Sequence, residues 1–77
     1  MDIGWAVQKM KEGRAVLRTG WNGKGMYIYL HTPGFYRHRT ELVSPYVVMR
    51  TAQATFQPGW LCSQSDLLAD DWELHEG

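Results

Sequence analysis

Apolar residues recur along this chain with two different periods, and the switches between them mark out its elements. Ile3, Ala6, Val7 and Met10 fall at helical spacing behind Asp2, a good N-cap, with Lys9 and Lys11 in the last turn and Gly13 as the stop. This predicts one amphipathic helix, with Trp5 just off its stripe as a packing residue. A period of two then takes over. From Arg14 to Thr19, Ala15 and Leu17 share one face of a strand while Val16 and Arg18 share the other. From Met26 to His31, the aliphatics Met26, Ile28 and Leu30 oppose Tyr27, Tyr29 and His31. Asn22-Gly23 stands between the two strands. It is the pair best suited to a type I′ hairpin turn, because both central positions need positive φ.

Alternation returns at Tyr46 to Ala52, where Tyr46, Val48 and Arg50 oppose Val47, Met49 and Thr51. Thr55 to Leu61 reads as a short strand or turn, since Pro58 cannot donate to a central ladder and Gly59 punctuates. Ser63-Gln64-Ser65-Asp66 opens a brief helical turn through Leu67, Leu68 and Ala69, ended by Asp70 or Asp71, and Trp72 to His75 alternates as a final strand. Residues 32 to 45 begin and end with turn signals and hold Arg37, His38 and Arg39, which predicts a loop or lid. The expected fold is α+β. An N-terminal helix packs on a small antiparallel sheet of four or five strands, with a short second helical turn near residues 63–69, all in a single domain over 1–77.

At 77 residues the core is small, and self-association would add burial. The strand from Met26 to His31 carries bulk on both faces, which one short helix cannot cover, so one face is expected to meet a second subunit. The alternative is an ordinary half-exposed tyrosine ladder. The single Cys62 has no internal disulfide partner, which suits a reducing cytosol. No run of 18 apolar residues and no signal-peptide pattern occurs, so a soluble cytoplasmic protein without a membrane partner is expected.

Net charge is zero but unevenly spread. Residues 1–50 hold all eight Lys and Arg and have a surplus of five positive charges, while residues 51–77 hold five acids and no base. Such a chain exerts little long-range pull on a nucleic-acid polymer, and its halves are expected to neutralise each other on folding. One feature exceeds what a turn requires: Trp21 and Lys24 flank Asn22-Gly23 and bring a flat aromatic face and a cation close together. A Trp that only covers the end of the core is the plainer alternative.

Enzyme chemistry finds little support. His31, His38 and His75 are scattered, Cys62 has no histidine at a signature spacing, and the adjacent Asp70 and Asp71 point apart. No Gly-rich phosphate loop and no metal spacing occurs. No catalytic residue, metal or cofactor is expected, and the alternatives kept are a protein-binding module with a tyrosine face and a small hydrolase.

Three ordered blocks carry a resemblance. Gly20 to Met26, Pro45 to Ala52, and Pro58 to Trp72 are similar to the small phage and prophage proteins known as the Thoeris anti-defence protein two family. The resemblance spans nearly the whole chain, although residues 32 to 45 carry none of its blocks and Gly59 extends its Pro-Trp pattern. It implies a non-enzymatic sponge, a homo-oligomer with four copies favoured. Such a sponge binds cyclic ADP-ribose isomers, and in some members cyclic dinucleotides, in the host bacterial cytosol and withholds them from their effector. A ligand of that kind calls for flat aromatics, short polar groups and one or two cations. Trp21 and Trp60 are the candidate stacking faces, and Asn22, Thr51, Gln57, Ser63, Gln64 and Asp66 the polar readers. Lys24 and Arg50 are the phosphate partners, and Met49 completes the candidate site. For Ser63 and Asp66 a helix cap and a first-turn acid are the alternative roles.

Overall fold

Asp2 starts the first element as the sequence requires: its Oδ1 accepts the Trp5 N–H at 2.9 Å and caps α1 (Ile3–Lys11). Glu12 forms the C-cap, and Gly13 leaves the helix with φ +87°. The computed structural model describes residues 1–32, 34–35 and 42–76. The strands after α1 are β1 (Val16–Arg18), β2 (Tyr27–His31), β3 (Gly34–Phe35), β4 (Leu42–Val43), β5 (Tyr46–Arg50) and β6 (Phe56–Pro58). The short helix α2 (Gln64–Leu68) and the strand β7 (Trp72–Leu74) complete the order. Five strands form one antiparallel sheet in the order β6-β5-β2-β1-β7, so the fold is α+β.

Register explains which side chains are buried. Val16 pairs with Ile28 and Leu74, and Ile28 pairs with Met49, so these residues form one row on one face of the sheet. With Trp72 and the α1 residues Ala6 and Met10 they make the core. The helix stripe is therefore turned slightly from the expected one. Val7 is exposed, whereas Trp5 and Ile3 pack against the core. Both helices lie on this side, since α1 touches β7, β1 and β2 and also α2. Tyr27, Tyr29, His31, Tyr46, Arg50 and Phe56 take the other face. Pro58 sits on the edge strand β6, where its missing N–H disturbs no neighbour.

Two expectations are corrected. Asn22-Gly23 does not form a type I′ turn: neither residue has positive φ, and residues 19–26 make a longer connection whose left-handed residue is Gly25, at φ +75°. Gly23 serves instead for close approach, because a Cβ there would come within 2.5 Å of the Ala52 Cβ and 2.6 Å of the Met26 sulfur. The segment 32–45 is not a plain loop: β3 and β4 pair as Gly34 with Val43 and Phe35 with Leu42. Arg37, His38 and Arg39, read from the sequence as part of a basic lid, lie outside the described residues.

Candidate ligand site at the tryptophan pole

Three tryptophans from distant parts of the chain meet at one end of the helix-covered face. Trp21 meets Trp72 at 5.3 Å between ring centroids and Trp60 at 6.3 Å, and Trp60 meets Trp72 at 6.4 Å, all edge to face. That geometry sets the positive edge of one ring against the negative face of the next. Trp72 is 1% exposed and anchors the group, while Trp21 and Trp60 are half-buried and reach solvent. Trp60 is placed by β5, whose Val47 carbonyl accepts both the Gly59 and the Trp60 N–H, at 2.9 and 3.0 Å. A φ of +78° at Gly59 allows this reversal.

Polar groups lock the same pole. Ser63 caps α2, its Oγ accepting the Asp66 N–H at 3.1 Å. Asp66 Oδ1 accepts the Trp21 indole N–H at 3.0 Å and Arg18 Nη1 at 2.7 Å. The Asp66 carbonyl accepts the Trp72 indole N–H at 3.1 Å. Arg18 also donates through Nε to Asp71 Oδ1 at 2.7 Å, and Asp71 Oδ2 accepts the Gly20 N–H at 2.8 Å and the Thr19 hydroxyl at 3.1 Å. A Cβ on Gly20 would meet that Asp71 oxygen at 3.0 Å.

These contacts set the titration of the two acids. The Arg18 guanidinium, helped by Gly20 and Thr19 against some desolvation, holds Asp71 down at about 2. Burial pushes the Asp66 carboxyl up, but hydrogen bonds from Arg18, Trp21 and Ser63 outweigh it and leave the pKa below its ordinary value. Arg18 is raised in turn, first by its bond to Asp71 and then by its bond to Asp66. Both carboxylates are therefore charged at neutral pH. The Arg18 and Trp21 bonds to the Asp66 carboxylate converge on Oδ1.

The candidate residues read from the sequence divide into groups. Trp21, Trp60, Ser63 and Asp66 come together, with exposed Gln64 opening α2 beside them. Ser63 and Asp66 do hold the cap and first-turn positions, and Trp21 does pack on the core, so the plainer roles are also filled. Asn22 and Lys24 are exposed in the Trp21 connection. Met49 is 9% exposed, within the core. Gln57 is paired with it on the edge strand, and Thr51 closes the β5–β6 turn through a 2.6 Å bond to the Thr55 hydroxyl.

Arg50 lies on the opposite face. Its Nη1 donates to the Gly25 carbonyl at 2.7 Å, beside an open depression of about 300 Å³ lined by Gly25, Tyr27, Arg50 and His75. Its side chain thus belongs to the face away from α1, whereas Trp21 packs on the core side.

Sequence reasoning missed Arg18, Asp71 and the anchoring part of Trp72. A signal for Arg18 was present: it alternates in phase with Val16, so it is carried onto the covered face, where a cation needs carboxylates. The acidic surplus of residues 51–77 supplied them, in keeping with the expected neutralisation of the two halves. Among the described residues no cluster of three or more His, Cys, Asp or Glu is placed to hold a metal. No helix among them is long and apolar enough to cross a membrane.

The blocks that build this pole also relate the chain to known proteins. A family model for the Thoeris anti-defense 2-like domain matches residues 1–75. The chain is similar to the Thoeris anti-defense 2 protein of Bacillus phage SP01, at 33% identity over 84 residues, covering 96% of this chain and 93% of the phage protein. This chain belongs to the Thoeris anti-defense 2-like family.

Proposed function

We propose that this protein is a phage-type anti-defence sponge, which binds a cyclic ADP-ribose isomer at the tryptophan pole and holds it without cleaving it. Family membership supports the anti-defence role. The observation that carries the ligand reading is the convergence of Trp21 and Trp60, two half-buried indoles 6.3 Å apart, beside the Asp66 carboxylate. A purine stacks on one indole. Asp66 Oδ2 accepts from ribose hydroxyls or an exocyclic amine, with Asn22, Ser63 and Gln64 as neighbouring polar groups. Asp66 would repel a pyrophosphate, so the phosphates turn toward Lys24. Cyclic dinucleotides offer the same purine, ribose and phosphate groups and are the second ligand class.

The site works by affinity and copy number rather than turnover, in the cytosol of the infected bacterium. It operates in a homo-oligomer, with four copies favoured, assembled through the sheet face that carries Tyr27, Tyr29, Tyr46 and Phe56. Phe56 is 57% exposed there, and that face carries no helix among the described residues. Calorimetric titration with a cyclic ADP-ribose isomer, followed by heating and chromatography of the supernatant, tests this reading. Saturable binding and recovery of intact ligand are expected. A linearised or hydrolysed product would replace the sponge with a hydrolase, and absence of binding with capture of a host protein would favour the protein-binding module.

A further inference from the structure

We propose that Arg18 is the positioning residue for Trp21, fixing both the root and the tip of that side chain without touching it; this rests on the tryptophan pole being the ligand site. At the root, the Arg18 carbonyl accepts the Trp21 N–H at 3.2 Å. Its Nε holds Asp71, whose other oxygen binds Gly20 and Thr19, the two residues before the tryptophan. At the tip, Nη1 holds the same Asp66 oxygen to which the indole N–H donates. One planar guanidinium thereby sets two carboxylates, and each carboxylate sets a different end of Trp21.

The chemistry is specific to arginine. Nε and Nη1 leave a rigid plane at fixed angles and serve two acids at once, whereas a lysine ammonium is a single mobile point that can satisfy one well. The side chains of Arg18 and Asp66 are only 19% and 13% exposed, so water cannot freely replace the lost bond. A stacking platform held in place before the ligand arrives spends none of the binding energy on ordering the ring. The remaining contacts of Trp21, edge to face with Trp60 and Trp72, fix its distance from its neighbours but supply no directional bond to the indole nitrogen.

The test is Arg18→Lys, read by the indole N–H signals in ¹⁵N NMR and by calorimetry with a cyclic ADP-ribose isomer. The Trp21 indole signal should shift and exchange faster with solvent, and move by more than that of Trp5, whose indole bonds neither Asp66 nor Asp71 among the described residues. Affinity should fall about fivefold or more, up to the loss expected for removing a stacked indole. That loss should disappear when Arg18→Lys is made in a Trp21→Ala background. An unmoved Trp21 signal, or an equal loss in both backgrounds, would overturn the proposal.

Should Arg18→Lys fail to fold, Asp71→Asn keeps the Arg18–Asp66 bond and loosens only the root. It should move the same signal less, and no movement would again overturn the proposal. If the wild-type protein does not bind the isomer, the sponge reading fails, and the NMR comparison alone decides whether Arg18 holds Trp21.

Discussion

The two faces of the sheet carry similar numbers of aromatic side chains and treat them in opposite ways. On the helix-covered face, Trp21 and Trp72 have their indole N–H groups bonded to Asp66, and Trp60 is fixed through the Val47 carbonyl. On the other face, Tyr27 stacks on His75 at 4.1 Å, Tyr29 meets Phe56 edge to face at 6.3 Å, and His31 tilts against Tyr46 at 5.1 Å. That second layer already shelters Val48, which is 5% exposed although it points away from α1. The difference teaches that aromatic content alone does not mark a ligand site. One group is locked by directional bonds and opens at an edge, as a stacking platform requires. The other is broad and, among the described residues, its aromatic pairs meet by ring contact, which suits the proposed contact between copies.

Removing the anchor of the first face should have the largest effect. Trp72→Ala empties the centre of the indole cluster and should destabilise the fold by about 3 to 5 kcal/mol, measured by chemical denaturation. Next, Trp21→Ala should weaken ligand binding by about 1 to 3 kcal/mol with little salt dependence, since stacking involves no net charge. Lys24→Gln should lose affinity chiefly at low salt. Titrations at two ionic strengths separate these cases.

On the opposite face, Tyr29→Asp should lower the oligomer mass in light scattering while leaving the circular dichroism spectrum intact. An unchanged mass would break the comparison, because that face would then have no partner to lose. Arg50→Gln should leave isomer affinity within about twofold if each protomer binds alone, as expected for separate positions. A loss matching that of Trp21→Ala would mean that the two faces meet across a protomer boundary.

The smallest effect is a pH dependence. Asp71, held at about 2, and Asp66, held below its ordinary value, bind protons more weakly in the folded chain than in the unfolded one. Their contribution is complete above the unfolded carboxyl value of about 4 and is lost as pH falls toward about 2. Denaturation midpoints should therefore drop between those values, and less steeply in Asp71→Asn. A slope unchanged by that substitution would show that Asp71 is not clamped.

Much of the fold was legible because it rests on local rules. Asp2, Gly13 and Ser63 announce helix ends through their own chemistry, and the alternation of Met26 to His31 fixes which face is buried. The turn at Asn22-Gly23 was misread because two demands on glycine look alike in a sequence: Gly25 meets the need for positive φ, and Gly23 the need for space beside Ala52. At the candidate site, the aromatic and acidic members were legible as residue types at chain reversals. Their separation from Arg50 was only half legible: alternation sets Arg50 opposite Met49, but which face meets the helices and tryptophans depends on the pairing of β5 with β2 and of β1 with β7. Arg18 was legible only as a cation in phase with Val16, not by its partners. Its partners are 48 and 53 residues away, and no local pattern reports such a contact.

The most direct test is a crystal structure of the protein with a cyclic ADP-ribose isomer bound. Density is expected for an intact ligand with its purine against Trp21 or Trp60, a donor on Asp66, and the Arg18 bonds to Asp66 and Asp71 unchanged. Ligand density confined to the depression at Gly25, Tyr27, Arg50 and His75, with the tryptophan pole empty, would contradict that expectation.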